Sequence, residues 1–513
     1  MYDQASPLFH PLVGAHSFVL GQSLYHHRPS FLRRQQQQQH QQPFHSAPLL
    51  QQTQSDLESS TGSSSSSAAS SASLSLPPNW EEKIDYDIKS FSELPSASFG
   101  YNQHIRINED FKESLRQILW AFRAPIRYAF AYGSGVFSQT PASSSSHDGT
   151  LDLDKIDPSP HPNPPSAVAD WQKGGGKTID FIFGVSHTQH WHSLNLAQHP
   201  DHYSFLRYSP YASALISSIQ DRMGAGVYFH PGITVNGTLI KYGVVNLDTL
   251  SLDLSSWSTL YLAGRLQKPV KILRDDPRIR LANQVNLLSA LRTALLMLPE
   301  TFTERQLYER IAGLSYMGDP RMNALIASEN PNKVSNIVGA QLPGFRQLYV
   351  PLIDTLPNVA FTDSRTPRQL GWEKTDAIRA TGSHASVSDV LGGRDGLSLQ
   401  QNMDPTKRGN MVRRLPSAFR KKLYAAYSKK LGIPSPLDED DKDGFKRREG
   451  GEFDQRIASQ ADLSTVMGDC VKATVRWPAA TQSLKGVLTA GPGSGWRYWS
   501  EKRKKGAQVK KEK

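Results

Sequence analysis

The chain is nearly without cysteine: one, Cys470, among 513 residues. A single thiol excludes an intramolecular disulfide framework, argues against a cysteine-built zinc site and suits a reducing compartment. Acidic residues are missing from Gln4 to Ser55, where Arg28, Arg33 and Arg34 occur among Ser, His and apolar residues such as Phe18, Val19, Leu20 and Leu24. That pattern fits an organelle transit peptide, and the glutamine-rich stretch Gln35 to Gln42 fits an unstructured polar tail as well. Long apolar runs are also absent. The best, Leu287 to Leu298, falls short of the roughly 20 residues that cross a bilayer and carries Arg292. If the protein acts at a membrane, it lies on it.

What is present is a chain that is 38% hydrophobic with a formal net charge of +11. The first figure allows one or two cores, with Ser, Gln, Gly and Pro tracts outside them. The second suits an anionic partner: nucleic acid, a phospholipid surface or a polyphosphate. Residues 1–76 are low in complexity and end in the serine run Ser63 to Ser67. Order is expected from Trp80. Phe111 to Trp120 spaces apolar residues as an amphipathic helix, Ile126 to Ala131 reads as a strand, and Thr178 to Val185, Lys241 to Leu247 and Pro269 to Leu273 are β-like. These make a first domain, 80–280, of mixed sheet and helices, interrupted by a Ser/Pro/His/Gly-rich insertion at 140–176 that reads as a surface excursion. From Leu281 the period is helical. Val285, Leu288, Leu291, Leu295 and Leu298 form a stripe, Pro299 stops it, and Thr303 with Gln306 forms a capping-box pattern. A helical domain at 281–363 is followed by a break at 364–407 read as a disordered insertion, a helical region at 408–495 with a second insertion at 434–451, and a basic tail at 496–513. In that tail Trp496, Tyr498 and Trp499 adjoin Lys502, Arg503, Lys504 and Lys505, which suits either an anionic membrane surface or a solvated terminus.

Two stretches carry the chemistry. Phe130 to Gln139 contains Gly133-Ser134-Gly135, a turn whose backbone N–H groups can approach a triphosphate closely, with a donor added by the Ser134 hydroxyl. Ile179 to Val185 then places Asp180 on an apolar strand, where a carboxylate is rarely left without a partner and can hold a divalent ion. A Gly-Ser turn by itself is a common conformational device. The cluster His187, His190 and His192 invites a zinc reading, but His190 and His192 align only on a strand and His187 and His190 only on a helix, so no regular element presents all three.

Several blocks, in order, resemble the translocator-assembly-and-maintenance family of mitochondrial phosphatidate cytidylyltransferases: Phe130 to Gln139 (FAYGSGVFSQ), Ile179 to Leu196, Gly224 to Phe229 (GAGVYF), Ile240 to Val245 (IKYGVV), Trp257 to Leu273, Ile311 to Arg321 (IAGLSYMGDPR), Lys333 to Val338 (KVSNIV) and Lys485 to Gly491. The resemblance spans roughly Trp80 to Trp499 and leaves out the N-terminal tail and the insertions. It implies an α+β protein with a polymerase-beta-like nucleotidyltransferase domain followed by a helical winged-helix-like domain. The reaction it implies joins CTP and phosphatidic acid into CDP-diacylglycerol and pyrophosphate with Mg2+, peripherally on the matrix side of the mitochondrial inner membrane, feeding cardiolipin synthesis. On this reading no nucleic acid is expected as a partner.

In that frame Gly133, Ser134 and Gly135 cradle the triphosphate and Asp180 is the leading Mg2+ ligand. The superfamily pattern has a second carboxylate two positions on, where this chain has Ile182. Asp253 is the preferred substitute, ahead of Asp248, with a helix-terminal charge as its alternative role. The catalytic set is therefore Ser134, Asp180 and Asp253. Lys241, Asp319 and Arg321 are assigned to the nucleotide, and Arg265, Lys268 and Lys271 to phosphatidate. Asp319 and Pro320 also fit a helix start. Two rival functions share some of these features: a nucleotidyltransferase acting on nucleic acid, and a noncatalytic assembly factor of the import machinery.

Overall fold

The computed structural model describes residues 80–82, 88–139, 159–172, 176–322, 330–362, 396–434 and 449–490. All of them fall in one unit, Ala72–Lys513. The proposed transit-peptide region, the basic tail 496–513 and most of each insertion lie outside the described residues.

The first helix, α1 (Glu109–Trp120), starts where the Asn108 side chain accepts from Phe111 N at 3.0 Å, and it buries Phe111, Leu115 and Ile118 as its spacing requires. Strand β1 (Tyr128–Tyr132) follows, then α2 (Ser166–Gln172), β2 (Ile179–Val185), α3 (Thr188–Gln198), α4 (Ala212–Arg222), β3 (Val227–Val235), β4 (Thr238–Asn246), α5 (Leu247–Ser256), α6 (Ala263–Leu266) and β5 (Lys271–Arg274). The five strands form a sheet in the order β3-β4-β2-β1-β5, with β2 and β4 parallel and the other pairs antiparallel. Register decides what meets what. Asp180 pairs with Tyr132 on one side and Lys241 on the other, so these three share a face. Ala131, Phe181, Tyr242 and Lys271 take the opposite face, where Phe122 and Trp191 pack against Phe183 and Tyr242.

The second half begins with α7 (Pro277–Met297), whose cap Asp276 accepts from Arg278 N at 3.1 Å ahead of Pro277. Its sequence shows one apolar stripe, but the helix is buried nearly all round. Its polar side chains are satisfied internally: Asn286 accepts from Trp257 Nε1 at 2.9 Å and Gln267 Nε2 at 3.0 Å, and Arg292 grips Glu81 through two bonds of 2.7 Å. Next come β6 (Thr301–Thr303), α8 (Glu304–Leu314), α9 (Lys333–Ile353), β7 (Val359–Phe361), β8 (Ser398–Gln401), α10 (Pro405–Arg413), α11 (Ser417–Leu431), α12 (Glu452–Ala458) and α13 (Leu463–Ala490). The expected capping box forms at α8, with Thr303 and Gln306 bonded reciprocally.

Two expectations are corrected. The 140–176 segment is not purely a surface excursion, because its α2 buries Val168 completely and stacks Trp171 on Phe111 at 4.7 Å. The 364–407 segment is not disordered throughout, since β8 is the middle strand of a three-stranded antiparallel sheet, β6-β8-β7. There Gln401 Nε2 donates to the carbonyls of Leu295, Leu298 and Pro299 at 2.8–3.0 Å, closing the end of α7. Sequence pattern concealed both pieces because each is stabilised by partners far along the chain.

One buried ion pair ties this half together. Glu304 accepts from Arg346, from Tyr308 OH at 3.1 Å and from Leu397 N at 2.9 Å, with both charged side chains almost fully buried. Removing one partner leaves the other charge buried and unpaired. Arg346→Ala is therefore expected to lower unfolding stability by about 3–5 kcal/mol, measured by urea denaturation; a loss below about 1 kcal/mol would contradict this account.

Candidate active site

The site is built where β1 ends. Gly133 has φ +83°, and a Cβ there would lie 3.0 Å from Asp180 Oδ2, so the turn and the carboxylate touch. At Gly135 a Cβ would lie 2.6 Å from Thr178 O, so this position also has no room for a side chain. Val136 N and Phe137 N both donate back to Gly133 O, at 3.1 and 2.9 Å.

Around Asp180 the cations rest on aromatic rings. Lys241 Nζ lies 4.6 Å from the centre of the Phe229 ring. The Arg265 guanidinium lies 4.0 Å from the Tyr261 ring and 5.6 Å from the Tyr132 ring, and it donates to Tyr261 O at 2.6 Å and Tyr132 OH at 3.3 Å. Lys268 and Lys333 flank Tyr316 at 5.2 and 5.4 Å. Lys268 Nζ also donates to Gly264 O and to Ser315 Oγ. Burial first, then the charges of Arg265 and Lys333, push Lys268 down to about 7. Burial raises the Tyr132 hydroxyl, Asp180 adds to that, and Arg265 and Lys241 oppose it, so the four groups share one electrostatic environment. Arg321 reaches the same neighbourhood, since its charge acts on Arg265. It forks onto Asp319 through bonds of 2.6–3.1 Å, while Asp319 also accepts from Arg321 N at 3.0 Å at the start of the turn Pro320–Met322. Asp319 thus takes the helix-start role considered for it and also pairs with Arg321.

The structure therefore links Gly133 with Asp180, Tyr132 with Asp180, Lys241 and Arg265, and Arg265 in turn with Lys268 and with Arg321, the partner of Asp319. Two assigned residues do other work. Asp253 is buried within α5, and its carboxylate accepts from Ser258 Oγ, Thr259 N, Thr259 Oγ1, Leu260 N, Leu262 N and Ala263 N at 2.8–3.3 Å. With both oxygens so committed, it is a loop anchor and not a metal ligand. It holds the segment in which Trp257 and Leu260 take the strained φ of +56° and which delivers Arg265. The alternative, Asp248, is exposed and pairs with Arg278 at 2.7 Å. Lys271 sits on the other face of the sheet, donating to Ile105 O at 2.8 Å, and burial pushes it down to about 8.

The histidine cluster does not converge. His187 and His190 are exposed, while His192 is buried with its ring nitrogens on Tyr203 OH and Gln220 Oε1 at 2.9 and 2.8 Å. Burial holds it down to about 4. A separate group, His199, Asp201 and His202, places possible ligand atoms within 4.8 Å of one another. It lies on the Tyr242 face, away from Asp180, with His202 Nδ1 bonded to Tyr242 OH and the two imidazoles stacked.

Tyr132, Phe229, Tyr261, Tyr316 and Lys333 complete the site and were not singled out from sequence. Their signal was present, because Tyr132, Phe229, Tyr261 and Tyr316 each lie inside a motif block and Lys333 opens another.

The family model described as phosphatidate cytidylyltransferase, mitochondrial, matches residues 115–505. The chain belongs to that family. It is 34% identical over 405 residues to the mitochondrial phosphatidate cytidylyltransferase of Schizosaccharomyces pombe, covering 79% of this chain and 86% of that protein. With the Xenopus laevis protein of the same name the identity is 35% over 389 residues, 75% and 92% of the two chains. With the Saccharomyces cerevisiae protein it is 40% over 266 residues, 51% and 60%. Every residue assigned to the site in this family member lies inside the matched region.

The anchor role of Asp253 has a direct consequence. Asp253→Asn turns an amide NH2 toward the N–H groups of Leu262 and Ala263, and is expected to cost about 3 kcal/mol, visible as a lowered melting temperature without added metal. An unchanged melting temperature would return Asp253 to the list of ligand candidates.

Proposed function

We propose that the chain is a CTP:phosphatidate cytidylyltransferase, forming CDP-diacylglycerol and pyrophosphate and feeding mitochondrial cardiolipin synthesis. The observation that carries the reading is the close approach of the Gly133–Gly135 turn to the Asp180 carboxylate, with Lys241 and Arg265 beside Tyr132 and with Lys268 and Arg321 beside Arg265. We read the five-stranded sheet as the nucleotidyltransferase domain, and α8, α9 and the β6-β8-β7 sheet as the winged-helix-like domain.

Phosphatidate is already an anion, so attack of its phosphate oxygen on the α-phosphorus of CTP, with pyrophosphate leaving, needs alignment and charge neutralisation more than proton removal. Ser134, Gly135 and Lys241 hold the triphosphate. Arg265 presents a planar fork, and Lys268 a point charge, to the phosphatidate phosphate. Arg321 closes the cleft from the other half of the chain. The donor set at Asp180 fits Mg2+ shared with a triphosphate, since that ion usually takes one or two carboxylates and completes its shell with phosphate and water oxygens. When bound, the ion would neutralise charge on the phosphates. Asp180 would hold it, without Asp253.

Among the described residues no helix is long and apolar enough to cross a membrane. Peripheral attachment to the matrix side of the inner membrane, aided by the basic residues 496–513, is part of the proposal.

Transfer of label from α-labelled CTP into chloroform-extractable lipid, with phosphatidic-acid vesicles and Mg2+, tests the reading. The wild type should make labelled CDP-diacylglycerol, and Asp180→Asn should make about 100-fold less or lower still, the rate equivalent of losing several kcal/mol of metal-ion charge stabilisation. A folded, CTP-binding wild type that labels no lipid would turn the search to nucleic-acid acceptors, and absence of CTP binding would favour an assembly factor.

Lys268 adds a pH dependence. With its pKa pushed down to about 7, it is an ammonium below that pH and a neutral amine above it. A bound phosphate favours the ammonium, so binding takes up a proton above pH 7 and affinity falls as pH rises. The KM for phosphatidate should climb between pH 7 and 9, and Lys268→Arg, permanently charged, should flatten the climb. Parallel profiles for the two proteins would remove Lys268 from the phosphate site.

A further inference from the structure

The Gly133–Gly135 turn is not shaped by its two internal backbone bonds alone. Two of its three residues are glycine, whose backbone torsions are loosely constrained, and the described residues that follow, up to Gln139, form turn and irregular chain. Side chains from elsewhere also hold the exit. Gln172 Nε2 donates to Gly135 O at 3.0 Å, Trp171 Nε1 to Val136 O at 2.9 Å, and Gln341 Nε2 to Ser138 O at 3.0 Å. Two of these donors come from α2, in the segment that looked like a surface excursion.

The Gln172 amide is fully used. Its nitrogen also donates to Lys177 O at 2.9 Å, and its oxygen accepts from Lys177 N at 2.6 Å and meets His161 Nε2 at 3.1 Å. His161 Nδ1 accepts from Leu239 N at 2.9 Å, so in the neutral ring the proton sits on Nε2 and is donated to Gln172. The chain of bonds thus runs from Leu239, two residues before Lys241, through His161 and Gln172 to the turn and to Lys177, three residues before Asp180. Behind it, Asn163 N donates to Gly237 O at 3.1 Å, and a Cβ on Gly237 would lie 1.7 Å from Asn163 O, so the β3–β4 hairpin is shaped to receive this segment.

The geometry points to Gln172 and Trp171, oriented by His161 and the stacked Phe111, as positioning residues that set the turn's peptide planes and thereby the affinity for the nucleotide triphosphate. Neither residue contacts the reacting atoms. Their effect falls on one substrate, because the phosphatidate groups Arg265 and Lys268 are carried by a different segment, anchored by Asp253. The inference rests on the cytidylyltransferase reading for the identity of the triphosphate.

The test uses the full chain and three variants. Gln172→Met keeps the shape and drops every bond of the amide. Trp171→Phe keeps the stack on Phe111 and drops the bond to Val136. Gln172→Glu keeps both accepted bonds and loses both donated ones, and it stands in if the Met variant does not fold. For each, CTP dissociation is measured by calorimetry, KM for CTP and for phosphatidate by lipid labelling, and folding by thermal melting. Each folded variant should weaken CTP binding about five- to tenfold, the effect of one neutral hydrogen bond, with the KM for phosphatidate unchanged. Unaltered CTP affinity in a folded variant, or equal weakening toward both substrates, would overturn the positioning role. A wild type that binds CTP without labelling lipid would overturn the reaction and leave the CTP comparison intact as a test of the brace.

Discussion

The close approach of the Asp180 carboxylate to Gly133 is the constraint on which the arrangement around it depends. A Cβ at position 133 would lie 3.0 Å from Oδ2, so the carboxylate would have to shift, and the φ of +83° is a conformation that favours glycine. The approach exists because β1 and β2 pair antiparallel with Tyr132 opposite Asp180, which puts the end of one strand beside the start of the other. Parallel pairing of β2 with β4 then brings Lys241 to the other side of the same carboxylate. A slip of one residue in either ladder would send Asp180 to the face filled by Phe122, Trp191 and Tyr242.

A second feature is how the site stores positive charge. Lys241, Arg265, Lys268 and Lys333 lie over the rings of Phe229, Tyr261, Tyr132 and Tyr316. A ring face attracts a cation electrostatically through its quadrupole. Asp319 and Arg321 follow the other rule, a bidentate ion pair, and Arg321 is the more exposed partner. Crowding of cations has a cost, seen in Lys268, which burial and its charged neighbours hold near 7.

The frame behind the site is unusually polar for a core. Helix α7 is buried on nearly all sides, yet Asn283, Gln284, Asn286 and Arg292 lie along it, each bonded to a side chain or carbonyl of another segment. Asn286 donates to Ala263 O and accepts from Trp257, so the same helix that organises the second half also fixes the loop carrying Arg265. Glu304 plays the equivalent part between α8, α9 and Leu397.

Local pattern in the sequence determined the elements that are stabilised locally: α1 from its apolar spacing and the Asn108 cap, α8 from its capping box, and the strands around the Gly-Ser-Gly turn from their β-branched and aromatic runs. The motif blocks likewise determined the family, because they run in order through the matched region, residues 115–505. Tertiary structure alone decided the rest. Asp253 and Asp180 are both carboxylates among apolar residues, and only the six donors of the following loop show that one is an anchor. Lys271 and Lys241 are both strand lysines near the motifs, and only register puts them on opposite faces. The segment holding Trp171 and Gln172 lacks a hydrophobic period because its order comes from Gly135, Val136, Lys177 and Leu239, partners up to 78 residues away. Periodicity records which face of an element is apolar; it does not record which distant hydrogen-bond donors a fold will bring to it.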